Sequence, residues 1–262
     1  MKKYYLRRLL SGPSKFLKFL EKKKINYIKN KKIIWHITTP RSGSTSLMEY
    51  FRMQFNDLTP GPFQTFPWQE NRFQNICHNT VFNNIFLRNC KFYFSAHSHT
   101  LASNDLINLI SKNHIVIIQY RSIEDTIVSL YSYLKNVENF WIPHKSLKSE
   151  EQKITELIYS YVPWHINFIK GWILNKDNKF NKFIIEFNDI AHDFEKTKLN
   201  LDKIIFETLG VKLLKFNKDL AIYNSANKKK EKIKLTTANI NLIHSIIKNN
   251  LTDDEINEIK NL

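Results

Sequence analysis

A short loop of small and hydroxylated residues around one arginine is the stretch of this sequence best suited to bind an anion. The loop Arg41–Ser46 reads RSGSTS. Ser44, Thr45 or Ser46 is predicted to cap a helix that follows, and Glu49, three residues after Ser46, would complete a capping box. The free backbone N–H groups and the positive end of the helix dipole would then point at one place, where a phosphate or a similar anion can bind.

The residues on either side of this loop predict the elements that hold it. Before Pro40, residues 33–37 form a short apolar run rich in β-branched and aromatic residues, which is typical of a buried strand. After the loop, Leu47, Phe51 and Phe55 are apolar residues at four-residue helical spacing. The order is therefore strand, tight loop, helix.

A second arginine follows a second apolar strand. Residues 115–120 read IVIIQY, an unbroken apolar run that fits the centre of a parallel sheet, and Arg121 comes directly after it. Ser129 lies eight positions further on, about two turns into a predicted amphipathic helix. The guanidinium and the hydroxyl can converge on one phosphate only if the chain reverses between strand and helix.

Further strands and helices alternate along the rest of the chain. Strands are predicted at 92–94 and 182–187, and helices at 151–174, where Pro163 should bend or split the run, and at 194–209, closed by Gly210. Two short helices end the chain, the second announced by Thr252 and Glu255. This alternation predicts an α/β fold in which a central parallel sheet is flanked by helices.

Length and composition indicate one packed domain with a basic surface. The 262 residues are 42% hydrophobic and 13% aromatic, which suits a single domain at 33–262. The net charge of +16 favours a polyanionic partner, either nucleic acid, an anionic membrane or a highly charged small ligand. Since Lys is abundant throughout, a generally solvated basic surface explains the charge equally well.

Residues 1–32 form a basic amphipathic segment that could lie weakly on an anionic membrane or pack as a peripheral helix on the domain. No stretch reaches the roughly 18 apolar residues of a spanning helix or the apolar core of a signal peptide. Cys77 and Cys90 are the only cysteines, too few for a disulfide framework. A cytoplasmic protein, peripheral to a membrane if attached at all, is expected. The oligomeric state is left open.

The two loops together resemble the donor-binding motifs of sulfotransferases. Residues 40–45, PRSGST, are similar to the 5′-phosphosulfate loop, which reads PKSGTT in cytosolic members and often carries Arg for the Lys in carbohydrate-directed members. Residues 120–133, YRSIEDTIVSLYSY, are similar to the family's RNPxDxxxSxY site for a 3′-phosphate, with Asp125 in the expected place. Residues 184–190, IIEFNDI, resemble the strand that ends in a YEDL-type sequence, so the resemblance covers about 33–210.

The resemblance implies a P-loop nucleotide-kinase-like fold and a PAPS-dependent enzyme, where PAPS is 3′-phosphoadenosine 5′-phosphosulfate and the product is PAP. It would move a sulfuryl group to a hydroxyl acceptor, and the Arg-type first loop leans towards a carbohydrate. The cofactor-binding residues implied are Arg41, Ser42, Gly43, Ser44, Thr45, Ser46, Arg121 and Ser129. Arg41 is also implied in catalysis, because charge builds on the transferred group and on the leaving oxygen.

A general base must take the proton of the acceptor hydroxyl, and histidine is the natural choice near neutral pH. His97, after the predicted strand at 92–94, is in the place of the family's base and is the first candidate, with His99 next. Glu70, in a loop at 60–70 dense in proline and aromatic residues that would form an acceptor lid, is the reserve. No metal is expected, since no third ligand stands near His97 and His99 at a recognisable spacing.

Two other functions are weighed. A nucleotide-dependent phosphotransferase with a degenerate phosphate loop would lack the lysine that a GxxxxGK[ST] loop requires. A non-enzymatic basic nucleic-acid-binding protein would need aromatic residues interleaved with its lysines, and nucleic acid is therefore an unlikely partner. The family's glycine-containing basic loop has no clear match, and Lys228, Lys229 and Lys230 are the candidates to replace it.

Overall fold

The protein is described by a computed structural model. The structure describes residues 29–54, 92–94, 99–135, 149–176, 180–213 and 233–259. The predicted segment 1–32 therefore lies almost wholly outside the described residues, as do the lid at 60–70 with Glu70, the first histidine candidate His97, and Lys228, Lys229 and Lys230.

Within the described residues, four parallel strands form the sheet, in the order β2-β1-β3-β4. Their bounds are Lys32–Thr38 (β1), Phe92–Phe94 (β2), His114–Tyr120 (β3) and Asn181–Glu186 (β4). The two central strands, β1 and β3, pair from Ile33 opposite His114 to Thr38 opposite Gln119. The predicted α/β fold with a parallel sheet is confirmed, and the strand that was expected to include Phe187 ends one residue earlier, because Phe187 begins a helix.

Helices connect the strands and cover both faces of the sheet. Their bounds are Ser44–Gln54 (α1), Asn104–Leu109 (α2), Ile123–Lys135 (α3), Glu150–Phe168 (α4), Phe187–His192 (α5), Phe194–Leu209 (α6), Thr237–Asn250 (α7) and Asp253–Glu258 (α8), and a π-helix, Ile169–Ile173, continues α4. Gly210 ends α6 in the left-handed conformation with a φ of 66°, and Thr252 caps α8 with Glu255 in a capping box. Both predicted helix ends are confirmed.

Alternate residues of β1 and β3 build the two cores. Ile33, Trp35 and Ile37 face α3, α4 and α7, in a cluster that also includes Tyr161 and Trp172. Ile34 faces α1 and α6 with Leu47, Phe51 and Leu201. By the two-residue period of a strand, His36 and Gln119 also face α1 and α6, so two polar side chains enter an otherwise apolar layer.

One local prediction was wrong, and of the bend or split predicted at Pro163 the split is excluded. Helix α1 begins at Ser44 and the Ser46 N–H donates to the Gly43 carbonyl at 3.0 Å, so Ser46 lies in the first turn and is not the cap of a Ser46–Glu49 capping box. Helix α4 runs through Pro163 without a break. A proline inside a helix costs about 3 kcal/mol. Burial of Tyr161, Val162, Trp164 and His165 around it offsets this cost by packing.

The π-helix places its side chains against the segment that enters α2. Trp172 Nε1 donates to the Thr100 carbonyl at 2.8 Å. A Cβ added to Gly171 would lie 2.6 Å from Ala102 Cβ, so only glycine permits this close approach. The backbone around Thr100 is therefore fixed by the end of the long helix.

Helix α4 also carries a fully buried imidazole. His165 Nδ1 lies 3.0 Å from the Tyr161 hydroxyl, and both side chains are 0% exposed. Burial lowers the pKa of His165 to about 3, since a charged imidazole would be desolvated there. The same burial raises the pKa of Tyr161. Both groups are neutral at physiological pH.

The buried His165 is expected to make the protein sensitive to acid. Between pH 6.5 and about pH 3, the unfolded chain binds a proton at His165 and the folded chain does not. The free energy of unfolding should therefore fall, by roughly 1.4 kcal/mol per pH unit from this group alone. In His165→Gln, which has no proton to bind, urea denaturation at several pH values in this window should give a flatter dependence than in the parent.

The control for removing an imidazole is His192→Gln, because the side chain of His192 is exposed at the end of α5. Equal pH dependence in the parent and in His165→Gln would contradict the assignment of this acid sensitivity to His165.

Candidate active site

The loop between β1 and α1 has the backbone conformation of an anion-binding nest. Arg41 and Gly43 both adopt positive φ, 62° and 79°, with Ser42 between them. Alternation of left-handed and ordinary residues turns successive N–H groups towards one side, where they can surround an anion. The Ser42 hydroxyl donates to the Thr39 carbonyl at 2.7 Å and is fully buried, so Ser42 is predicted to contact a ligand only through its N–H.

Two buried polar side chains lie beneath this loop. Gln119 Nε2 donates to the Ser42 carbonyl, and Gln119 Oε1 lies 2.9 Å from His36 Nε2. The main-chain carbonyl of Gln119 accepts from the Thr39 N–H at 2.8 Å. The loop is therefore attached to β3 at two points. The contact with Gln119 gives His36 a structural role beneath the loop.

Arg41 extends from the loop to α3. Its Nε donates to the Ser129 hydroxyl at 3.1 Å, and its guanidinium carbon lies 5.0 Å from the centre of the Tyr133 ring. Burial lowers the pKa of Arg41, and the nearby positive charge of Arg121 lowers it further. The side chains of both predicted loops therefore reach one region of the protein.

Arg121 lies across this region from Arg41. Its guanidinium forms an ion pair with Asp125, with Nη2 3.3 Å from Oδ2, and its Cζ lies 4.3 Å above the centre of the Phe187 ring. Phe187 also touches the first loop, because a Cβ on Gly43 would lie 2.9 Å from its Cε2. The ring of Phe187 therefore packs between the Arg41–Ser46 loop and Arg121.

His99 lies next to the end of β1. Its Nδ1 is 2.9 Å from the Thr38 carbonyl oxygen and 3.0 Å from the Thr38 hydroxyl. A carbonyl oxygen can only accept, so Nδ1 carries the proton and Nε2 has the lone pair of a potential base. His99 is 6% exposed.

The structure brings together most of the predicted site residues that it describes. Arg41, Ser129 and Arg121 surround one region, although Ser129 bonds to Arg41 and not to Arg121. Sequence reasoning missed Phe187, Tyr133 and Gln119. The signal for Gln119 was one amide in an otherwise apolar strand, and Phe187 stood directly after the YEDL-like strand.

The described residues contain neither a metal-binding cluster nor a membrane-spanning helix. No group of three or more His, Cys, Asp or Glu in the described ranges could hold a metal ion. In the same residues, no helix has both the length and the apolar character needed to cross a membrane.

Comparison with known families identifies the fold and the enzyme class. A family model described as "Sulfotransferase domain" matches residues 31–252, which is most of the chain. The chain belongs to the sulfotransferase family. The predicted family and the enzyme class, a sulfotransferase, are thereby confirmed, and both arginine loops lie within the matched range.

Solved structures resemble this sulfotransferase in fold. The mouse sulfotransferase SULT7A1, crystallised with PAP, matches with a TM-score of 0.52 and 15% identity over 90% of this chain and 92% of that one. The sulfotransferase domain of the Synechococcus PCC 7002 olefin synthase matches with a TM-score of 0.44 and 14% identity over 83% and 95%. The comparison with curated protein sequences finds no match.

The contact between Gly43 and Phe187 yields a test of the loop. Gly43→Ala and Gly210→Ala both place alanine at a positive φ, and each should lose about 1 kcal/mol of unfolding free energy for that reason. Only at Gly43 does the new Cβ meet a packed ring at 2.9 Å, whereas at Gly210 the nearest atom is Lys32 Nζ at 3.9 Å. Gly43→Ala should therefore lose roughly 1–3 kcal/mol more in urea denaturation.

Gly210→Ala is the matched control, because it has the same backbone strain without the clash. Equal losses in the two variants would contradict the close packing of Phe187 against the loop.

Proposed function

We propose that this sulfotransferase binds PAPS across its two arginine loops and transfers the sulfuryl group to a hydroxyl acceptor. The Arg41–Ser46 loop would bind the 5′-phosphosulfate end, and Arg121 with Ser129 would bind the 3′-phosphate. The observation that carries the proposal is the convergence of the two arginine loops, because the Phe187 ring lies against both Gly43 and Arg121 and the charge of Arg121 contributes to lowering the pKa of Arg41.

The charge of the site supports a ligand with several anionic groups. Two guanidinium groups near each other repel, and burial makes the repulsion stronger. Asp125 is the described carboxylate paired with Arg121, and Arg41 contacts only neutral groups, Ser129 and Tyr133, among the described residues. A ligand with phosphates at two positions would compensate both charges.

In this proposal the donor supplies the sulfuryl group, and the residues of the chain orient it and move one proton. The bond from sulfur to the bridging oxygen of the phosphate breaks, and a bond from sulfur to the acceptor oxygen forms. Arg41 and the loop N–H groups would stabilise the charge that develops on the leaving oxygen. A histidine would take the proton from the acceptor hydroxyl.

His97 and His99 are the proposed bases, with Glu70 in reserve. The contact of His99 with the Thr38 carbonyl supports His99, because a proton fixed on Nδ1 leaves Nε2 ready to accept another. Thr38 also lies three residues before Arg41, so an imidazole in contact with Thr38 is near the first loop in space. His97 stays a prediction from the sequence.

The finer parts of the proposal come from the sequence. A carbohydrate acceptor is proposed from the arginine in the first loop, and an acceptor lid from residues 60–70. A cytoplasmic location, weak attachment to membranes through residues 1–32 and a catalytic domain at 33–262 also stay predictions.

Binding of PAP gives the most direct test of the donor site. PAP should raise the Tm of the protein without Mg²⁺, whereas ATP and RNA should raise it only weakly. Arg121→Ala should lower the affinity for PAP, by roughly tenfold or more, because a charge-assisted contact to one phosphate is lost. Thermal denaturation measures the change in Tm, and isothermal titration measures the affinity.

Lys203→Ala is the matched control for Arg121→Ala. Lys203 and Glu207, like Arg121 and Asp125, form an ion pair between residues four apart in sequence, so the control removes one positive charge from a comparable pair. Stabilisation by Mg-ATP alone would overturn the proposed function, and equal PAP affinity in Arg121→Ala and the parent would remove Arg121 from the site.

Replacing the histidines identifies the base. A screen of hydroxyl compounds, carbohydrates first, with radiolabelled PAPS provides the acceptor for the assay. His99→Gln should keep PAP affinity and lose turnover by roughly 10²–10⁴-fold, together with the acid limb of the pH–rate profile. Loss in His97→Gln with full turnover in His99→Gln would assign the base to His97, and full turnover in both would leave Glu70.

A further inference from the structure

We infer that Gln119 is a positioning residue that aims the Gly43 N–H into the Arg41–Ser46 loop. The inference rests on the proposed function, in which this loop binds the 5′ end of the donor. Gln119 lies on β3 beneath the loop and is 0% exposed, so it acts through the backbone of the loop.

Gln119 holds both ends of the turn. Its main-chain carbonyl accepts the Thr39 N–H at 2.8 Å, where the chain leaves β1. Its side-chain Nε2 donates to the Ser42 carbonyl, directly before the helix α1 begins. The turn between these two points contains Arg41 with its positive φ. One residue of β3 therefore fixes where the loop starts and where it ends.

The chemistry of the partners allows only one orientation of the Gln119 amide. The Ser42 carbonyl can only accept, so the amide nitrogen must face it. The amide oxygen then faces His36 Nε2 at 2.9 Å, and this nitrogen must carry a proton to donate. His36 therefore keeps the amide from turning over, and the donor to Ser42 is fixed.

This hydrogen bond decides the direction of a neighbouring donor. In a trans peptide the C=O and the following N–H point in opposite directions, and no described peptide bond is cis. Since the Ser42 carbonyl points down to Gln119, the Gly43 N–H points away from the sheet. Helix α1 begins at the next residue, so this N–H lies beside the first free N–H groups of the helix.

A side chain that only fills space would behave differently from one that aims a donor. Methionine fills a volume close to that of glutamine but has no N–H, so Gln119→Met keeps the packing and loses the hydrogen bond. Gln119→Glu keeps the shape and places a carboxylate against the Ser42 carbonyl. Both variants should release the 42–43 peptide from its orientation.

The experiment compares two ligands by isothermal titration. PAP has phosphates at both positions, and adenosine 3′-monophosphate lacks the 5′ group that the loop would bind. Gln119→Met should bind PAP roughly tenfold to hundredfold more weakly than the parent, which corresponds to a charge-assisted hydrogen bond. Its affinity for adenosine 3′-monophosphate should be unchanged.

Gln152→Glu is the control for Gln119→Glu. Gln152 uses only Oε1, which accepts the Ser149 N–H at 3.3 Å, and a glutamate accepts equally well. Gln152→Glu should bind both ligands like the parent, whereas Gln119→Glu should lose PAP affinity selectively. If one of the Gln119 variants fails to fold, the other gives the same comparison.

Three results would overturn the inference, and two of them leave the proposed function intact. Parental PAP affinity in a folded Gln119 variant would remove the positioning role while the donor site stands. Equal losses for both ligands would make Gln119 a general structural residue. A parent that does not bind PAP would overturn the inference and the proposed function together.

Discussion

The site depends on the repulsion between two positive charges, those of Arg41 and Arg121. Among the described residues, Arg121 is paired with a carboxylate and Arg41 is not. Arg41 is partly buried, and the positive charge of Arg121 contributes to lowering its pKa. Its described contacts are a hydroxyl and an aromatic ring. Such an arrangement costs free energy in the folded state, because burial weakens the screening of repulsion. Packing of the parallel sheet and its helices offsets this cost, and an anion bound between the two guanidinium groups would reduce it.

The topology of the sheet brings the two arginines close together. Strands β1 and β3 are adjacent and parallel, so the loops that follow them emerge at the same edge, and the arginines after each strand are brought together. Ligands bind at the carboxyl ends of strands in open α/β sheets for the same reason. Phe187, at the end of β4, extends this arrangement to a third strand. The topology alone therefore brings residues that are remote in sequence to the same edge of the sheet.

The fold and the centre of the site could be predicted from local patterns. Apolar runs mark the strands, and Arg41, Arg121 and Ser129 each follow one at a defined distance. The parts that could not be predicted depend on contacts between elements. The helix through Pro163 is held by the buried residues around it, and the start of α1 at Ser44 is decided by the turn that Gly43 closes. The partner of Ser129 likewise depends on where the Arg41 side chain extends.

The π-helix after α4 contacts the chain segment that contains His99. A π-turn contains one residue more than an α-turn, and such turns are often found at functional sites. The wider turn changes the direction in which its own side chains project, and Trp172 lies within it. The indole of Trp172 donates to the Thr100 carbonyl, one residue after His99. The π-helix therefore helps to hold the indole of Trp172 against the chain segment that contains His99.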